Sequence, residues 1–295
     1  MNIKRMREWA CLVLLVIVTT TVAQGKSQDE MGFVKLQRDF AGTVLSYQKG
    51  ATGEESPQGK ALVIYLHGGS SCGTDNTTQM GEPGIDSICH YLTSRHIPAV
   101  MVVPQCPDRN RGWGGLAKNV KALLDFTVRT EGVDSTRIYI FGGSMGGTGT
   151  WKMLSTFPNY FAAGMPCAAN PKGMSATNVA TTPVYNVMGL ADKIMGSDVR
   201  VIAEDFISQL QSLGDEVRYE TVEGWSHEMT CIQSYSTERL DWVLTHRRNL
   251  GTAIKQTRQD VPEDDNTWYT LLGMRISKPS QAGIFIRKGK KIVVR

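Results

Sequence analysis

The sequence is poor in the residues and spacings that hold metal ions or build disulfide frameworks. Its 295 residues include six cysteines and five histidines, with no Cys-x-x-Cys pair and no close group of the two types. We therefore predict no zinc site, no other metal and no cofactor. The five cysteines beyond residue 23 are an odd, widely spaced set. They are compatible with one disulfide between Cys72 and Cys106, which follow strand ends at one sheet edge, or equally with buried free thiols.

The sequence also lacks an apolar run long enough to span a membrane comfortably. The run from Cys11 to Val18 is short, follows three basic residues and precedes Thr21-Val22-Ala23, which resembles a small-residue cleavage site. This pattern predicts a signal peptide over residues 1–23, with an uncleaved anchor as the alternative. The expected location is secreted, cell-surface or periplasmic, without a stable membrane span.

A basic face for binding nucleic acid is missing as well. The formal charge of +4 is concentrated at the two ends, because residues 1–23 carry +2 and residues 251–295 carry +5. The body between them is left with −3. Nucleic acid is therefore not predicted as a partner.

What the chain does contain is an alternation of strand-like and helix-like segments from about residue 33 to residue 246. The strands are expected at Phe33–Leu36, Thr43–Tyr47, Ala61–Leu66, Ala99–Val103, Arg137–Phe141, Phe161–Pro166, Val184–Met188 and Glu216–Val222. Helical spacing of apolar residues separates most of them. The pattern predicts an α/β domain over residues 24–250, with a mostly parallel eight-stranded sheet and helices on both faces.

The end of the chain has a different character. Residues 251–266 are polar and charged and are expected to form a linker. Residues 267–295 contain short strand-like runs and a Lys288-Gly289-Lys290 turn, so we expect a β-rich tail.

The most informative segment runs from Ile138 to Gly147. Four apolar residues lead directly into Gly-x-Ser-x-Gly around Ser144, and an apolar helical pattern follows. A serine at such a sharp strand-to-helix turn is held in a strained backbone that exposes its hydroxyl. Ser144 is therefore the candidate nucleophile.

A serine hydroxyl needs a base, and the base needs an orienting acid. His227 follows the last core strand and is expected in a loop at the carboxyl edge of the sheet. Asp192 is the first carboxylate after the preceding strand, with Asp198 as the alternative. The order Ser, Asp, His is the one associated with this kind of elbow.

The oxyanion of an acyl transfer needs two donors. One expected donor is the backbone N–H of Met145, the residue that begins the helix after the serine. The other is the N–H of Gly69, or alternatively of Ser70, in the segment that follows a strand end. His67 is expected to organise this loop and to take part in binding substrate, with a catalytic base as the alternative role. Trp113 and Trp225 are predicted in loops at the same edge, where they would bind substrate, or else pack beneath those loops.

These segments together resemble the α/β-hydrolase superfamily, and within it secreted esterases related to polyhydroxybutyrate depolymerases, feruloyl esterases and the predicted peptidases. The resemblance covers about residues 61–244 and is carried by Leu66-His67-Gly68-Gly69, Pro104-Gln105-Cys106-Pro107, Gly142-Gly143-Ser144-Met145-Gly146-Gly147, Gly149-Thr150-Trp151, Pro158-Asn159-Tyr160-Phe161-Ala162-Ala163 and Gly224-Trp225-Ser226-His227. It implies Ser144 as nucleophile, Asp192 as acid and His227 as base. The chain departs from the family at residues 188–192 and 167–169.

The tail, with Tyr269–Ile276, Gly283–Ile286 and Gly289–Val294, resembles the C-terminal sorting-type tail of secreted Gram-negative bacterial proteins. That resemblance implies the secretion machinery as a partner. A plain β-hairpin packed on the domain is the alternative.

The function that follows from the residues and the resemblance is hydrolysis of carboxylic esters through an acyl-enzyme. The expected substrate is a small-molecule or polysaccharide ester, with an acetyl or feruloyl group on carbohydrate. A serine peptidase of the prolyl oligopeptidase type keeps the fold but cleaves an amide. A non-catalytic surface binding module would keep the fold without the chemistry.

Overall fold

The computed structural model of the protein describes residues 27–53, 56–250, 268–270, 275–279, 282–287 and 290–294. The expected signal peptide and the expected linker lie outside these residues. The described chain falls into two compact units, one ending at Arg248 and the other beginning at Asn249.

The first unit is built around one eight-stranded sheet. Its strands are β1 (Val34–Phe40), β2 (Thr43–Thr52), β3 (Lys60–Leu66), β4 (Ala99–Gln105), β5 (Val133–Gly143), β6 (Ala163–Cys167), β7 (Val184–Gly189) and β8 (Val217–Val222). They lie in the order β1-β2-β4-β3-β5-β6-β7-β8. β1 and β2 pair antiparallel with each other, β2 pairs antiparallel with β4, and the pairs from β4 to β8 are parallel. The expected eight-stranded, mostly parallel sheet is confirmed.

Helices cover both faces of this sheet. They are α1 (Pro83–Ser94), α2 (Gly112–Gly115), α3 (Ala117–Thr130), α4 (Met145–Thr156), α5 (Ala176–Val179), α6 (Gly196–Ser212), α7 (His227–Gln233) and α8 (Thr237–Thr245). Short 3-10 turns lie at Gly69–Ser71 and Thr78–Gly81. None of the helices in the described parts of the chain is long and apolar enough to cross a membrane.

Because helices cover both faces of the sheet, the sequence of β3 is an almost uninterrupted apolar run. Leu62, Ile64 and Leu66 enter the core under one helical layer, whereas Val63 and Tyr65 enter the core under the other. Strand residues alternate between faces, so a strand buried on both sides needs an apolar residue at every position.

The second unit contains a four-stranded antiparallel sheet. Its strands are β9 (Trp268–Thr270), β10 (Arg275–Ile276), β11 (Gly283–Arg287) and β12 (Lys290–Val294), in the order β10-β9-β11-β12. β11 and β12 pair antiparallel as a hairpin, with Arg287 opposite Lys290 and Gly283 opposite Val294. The β-rich character of the tail is confirmed.

The disulfide considered between Cys72 and Cys106 is not formed. Both residues carry free thiols. The Cys106 thiol donates instead to the carbonyl oxygen of Asp108 over 3.2 Å, and burial raises the pKa of this thiol to about 12.

Candidate active site

Ser144 lies at the turn between β5 and α4 in a backbone conformation that few residues adopt. Its φ is 57° and its ψ is −120°, a strained region for a residue with a Cβ atom. Glycine is required beside it, because a Cβ on Gly146 would lie 1.7 Å from the carbonyl oxygen of Leu66. The strain turns the serine hydroxyl away from the sheet and toward the carboxyl ends of the strands.

The Ser144 hydroxyl lies 2.8 Å from His227 Nε2. The other ring nitrogen, Nδ1, lies 2.7 Å from Asp192 Oδ2. A carboxylate accepts only, so Nδ1 carries the proton that it donates to Asp192, and Nε2 is left to accept from the serine. The structure thus brings together the three side chains that the sequence selected.

Asp192 is held so that one oxygen is reserved for the histidine. Its Oδ1 accepts the backbone N–H groups of Ile194 and Met195, each over 2.9 Å. The side chain is completely buried, which keeps competing water away from Oδ2. Asp198, the alternative acid, is exposed in the first turn of α6.

His227 is not in a loop, as the sequence suggested, but is the first residue of α7. The helix begins there because the Ser226 side chain caps it, accepting the N–H of Met229 over 3.2 Å. The preceding residue is fixed too, since the carbonyl oxygen of Trp225 accepts the N–H of Ala191 over 3.0 Å. This bond joins the segment before His227 to the segment before Asp192.

The expected oxyanion donors belong to Met145, which follows the serine, and to Gly69 in the turn after β3. The N–H groups of Met145 and Gly69 have no hydrogen-bond partner among the residues that the structure describes. A Cβ on Gly68 would lie 3.8 Å from Ser144 Cβ, so the glycine loop touches the elbow. The N–H of Gly68 itself is occupied, because it donates to Glu82 over 3.0 Å.

His67 does not bind substrate, because its side chain is completely buried. Its Nδ1 donates to the carbonyl oxygen of Gly68 over 2.7 Å, and its Nε2 accepts the N–H of Cys106 over 2.9 Å. The ring therefore connects the ends of β3 and β4. Burial lowers its pKa to about 4, so the ring stays neutral at physiological pH.

The two predicted substrate tryptophans also have other roles. Trp113 is 1% exposed, donates its indole N–H to the carbonyl oxygen of His67 over 3.0 Å, and packs edge-on against the His67 ring. Trp225 is half-buried against the core, with the Arg239 guanidinium 5.4 Å from its ring centre. Trp113 lies in the short helix α2 and not in a loop, and the burial of its indole makes its substrate-binding assignment wrong. Trp225 lies in the segment between β8 and α7 and does not line the cavity over the serine.

A cavity of about 550 Å³ opens over the serine. It is lined by Gly68, Gly69, Ser70, Ser71, Thr78, Gly81, Glu82, Pro83, Arg109, Ser144, Ile194, His227, Glu228, Cys231 and Ile232. Sequence reasoning missed Glu82, Arg109, Ile194 and Ile232, because no motif marks them and only the fold brings them to the serine. A larger cleft of about 710 Å³ runs along β8, but it contains none of the groups around Ser144.

Comparison with known proteins finds sequence relatives among esterases. No protein-family model matches the chain. It is 29% identical over 86 residues to acetylxylan esterase A of Emericella nidulans, covering 25% of this chain and 28% of that protein. It is 26% identical over 126 residues to feruloyl esterase B of Thermothelomyces thermophilus, covering 41% and 43%. The matches thus span less than half of the length of these two relatives.

A solved thermostable esterase superposes with a TM-score of 0.61 at 24% identity, covering 75% of this chain and 64% of that one. The strand order, the elbow serine and this superposition define the class: the protein has the α/β-hydrolase fold. The relatives that it matches in sequence are esterases.

Proposed function

We propose that this protein is a serine hydrolase that cleaves carboxylic esters of carbohydrate, with Ser144 as nucleophile, His227 as base and Asp192 as the acid that orients it. The observation that carries the proposal is the unbroken chain of contacts, 2.8 Å from Ser144 Oγ to His227 Nε2 and 2.7 Å from His227 Nδ1 to Asp192 Oδ2. A serine with this arrangement is a nucleophile for acyl transfer.

In the first half of the reaction, Ser144 Oγ attacks the ester carbonyl carbon while His227 Nε2 takes the hydroxyl proton. The carbonyl oxygen becomes an oxyanion held by the N–H groups of Met145 and Gly69. The buried Asp192 carboxylate stabilises the imidazolium that forms. Collapse of the tetrahedral intermediate breaks the ester bond, and His227 gives its proton to the departing alcohol.

In the second half, water replaces the alcohol. His227 removes a proton from the water, whose oxygen attacks the acyl-enzyme carbonyl. The second tetrahedral intermediate collapses, the carboxylic acid leaves, and His227 returns the proton to Ser144 Oγ. No cofactor is needed for either half.

An acetyl or feruloyl group on a polysaccharide is the substrate class that the relatives favour. Acetylxylan and feruloyl esterases are the proteins that the chain resembles in sequence. The cavity supports this choice because Ile194 and Ile232 offer apolar surface for an acyl group. Polar groups of Ser70 and Thr78 at the same cavity suit sugar hydroxyls.

The test combines labelling and hydrolysis. A fluorophosphonate probe should label the protein, and peptide mapping should find the label on Ser144. The Ser144→Ala variant should lose both labelling and hydrolysis of p-nitrophenyl acetate, whereas Ser197→Ala, an exposed serine of α6, should keep both. Release of acetate or ferulate from xylan then tests the substrate class. Unchanged turnover by Ser144→Ala would overturn the proposal.

We also propose that the protein is exported, with residues 1–23 as the signal and the C-terminal unit as a sorting-type tail read by the secretion machinery. The separate four-stranded sheet of the C-terminal unit supports this. Deleting residues 251–295 should leave ester hydrolysis intact but reduce the amount that reaches the cell surface or medium. Equal export of the full and shortened chains would contradict it.

A further inference from the structure

One cation of the candidate cavity has no role in the reaction described above. Arg109 follows β4 and lines the cavity together with Ser144. Its side chain lies against Gly69, since a Cβ on that glycine would be 2.8 Å from Arg109 Nε and 3.1 Å from Cζ. The guanidinium thus lies beside Gly69, whose N–H is an expected oxyanion donor.

Arg109 is also unpaired, in contrast to three arginines of the domain that form ion pairs. Arg95, Arg239 and Arg247 each contact a carboxylate, over 3.1, 2.6 and 2.7 Å. Within the described residues, Arg109 has no carboxylate within 4.0 Å and no hydrogen-bond acceptor. The residue is exposed and its charge cannot be removed by deprotonation, so a permanent cation with N–H donors that no protein group uses lines the cavity.

The two carboxylates that share the cavity do not neutralise this cation directly. Glu82 Oε1 is engaged by the N–H of Gly68 and the hydroxyl of Ser71, over 3.0 and 2.6 Å. Glu228 is exposed in the first turn of α7. These carboxylates repel an anion from their own part of the cavity. The favourable position for an anion is therefore beside Arg109 and Gly69.

We propose that Arg109 selects ester substrates that carry a carboxylate near the scissile bond. A guanidinium presents parallel N–H donors that match the two oxygens of a carboxylate, and such charged pairs are stronger than neutral hydrogen bonds. The carboxylate can belong to the alcohol, as in an acylated uronic acid, or to the acyl group, as in a dicarboxylic monoester. The inference rests on the proposed ester hydrolysis and names its substrate class.

Matched ester pairs test this choice. For the acyl side, p-nitrophenyl hemisuccinate is compared with p-nitrophenyl butyrate, and for the alcohol side, acetylated methyl glucuronide with acetylated methyl glucoside. The measured quantity is the ratio of kcat/KM for the acidic ester to that for its neutral partner. In Arg109→Gln this ratio should fall about tenfold to a hundredfold in at least one pair, because a charge-assisted bond is lost.

Two further variants sharpen the result. Arg109→Lys should keep part of the ratio, because it keeps the charge but not the planar donor pair. Arg111→Gln removes an exposed arginine of the same segment, whose side chain binds Thr43 and Gly115 instead, and should leave the ratio unchanged. In the wild type, added salt should lower the ratio. The pair that responds tells which side of the ester carries the acid.

Binding separates failure of this inference from failure of the proposed reaction. The Ser144→Ala protein should bind methyl hemisuccinate or acetylated methyl glucuronide more tightly than Ser144→Ala/Arg109→Gln does, by a similar factor, in calorimetry that needs no turnover. If Arg109→Gln loses kcat equally on acidic and neutral esters, Arg109 stabilises the oxyanion instead, and the inference is overturned. An unchanged ratio together with equal binding by the two proteins would also overturn it.

Discussion

Glu82 Oε1 accepts the backbone N–H of Gly68 over 3.0 Å. Glu82 precedes Pro83 at the start of α1, whereas Gly68 begins the turn that follows β3. The same oxygen accepts the Ser71 hydroxyl over 2.6 Å, so both ends of the turn are tied to one carboxylate. The free N–H of Gly69 lies between these two anchors, and its direction depends on them.

Removing this anchor should lower the rate more than the affinity for substrate. In Glu82→Ala the turn loses two hydrogen bonds, so we expect kcat for p-nitrophenyl acetate to fall roughly tenfold, less than the loss on deleting an oxyanion donor outright. KM should change little. Glu82→Gln keeps an acceptor oxygen in place and should restore most of the rate. Equal losses in Ala and Gln variants would show that the charge, not the anchoring, matters.

The catalytic role of Asp192 can be separated from any effect that the residue has on folding. Asp192→Asn keeps the size of the side chain and an oxygen for the N–H groups of Ile194 and Met195. Its amide can donate toward His227 Nδ1, which favours the wrong ring tautomer. By analogy with the measured effect of this change in a serine protease triad, kcat should fall about 10⁴-fold. The melting temperature should stay close to that of the wild type, and Asp198→Asn should retain full activity.

The local parts of this site could be predicted from the sequence, because their signals are contiguous. The apolar strand, the glycines and the helix around Ser144 are encoded within ten residues, and the alternation of elements gives the sheet that surrounds them. Asp192 and His227 follow from the rule that site residues lie after strand ends. Their catalytic roles stay a prediction, whereas the fold is confirmed.

The direction of side chains in the loops could not be predicted in the same way. Trp113 lies in the short helix α2 instead of a loop, and its indole turns inward because its N–H donates to the His67 carbonyl oxygen and its ring packs on the His67 ring. Glu82 and Arg109 show the reverse. Neither residue belongs to a motif, although Arg109 closely follows Pro104-Gln105-Cys106-Pro107. Both gain a role only through contact with Gly68 and Gly69, which precede them by 14 and 40 residues.

The buried His67 makes stability depend on pH. Its pKa is lowered to about 4 in the folded protein by burial, whereas an exposed histidine titrates near 6.5. As the pH falls, the unfolded chain therefore binds the extra proton before the folded chain does. The contribution of neutral His67 to stability is present above pH 6.5 and is lost as the pH falls toward 4. At 1.36 kcal/mol per pKa unit, the free energy of unfolding should drop by about 2 kcal/mol between pH 7 and pH 5 from this residue alone.

Urea denaturation at the two pH values measures this effect. The His67→Gln variant carries no titrating group at the position, so its free energy of unfolding should be lower at pH 7 and should change less between pH 7 and pH 5. The difference between the two slopes isolates His67 from the other titrating groups. Identical slopes in the two proteins would contradict the lowered pKa.

The elbow should tolerate no side chain at Gly146. An added Cβ would lie 1.7 Å from the carbonyl oxygen of Leu66 and 2.8 Å from that of His67, both fixed at the end of β3. Because backbone atoms cannot move aside cheaply, Gly146→Ala should cost at least about 3 kcal/mol of unfolding free energy, the upper range for overpacking. Any folded fraction should also hydrolyse esters slowly, since the clash would separate α4 from the oxyanion turn. Gly114→Ala, with nothing within 4 Å of the new Cβ, is the matched control and should keep both stability and activity.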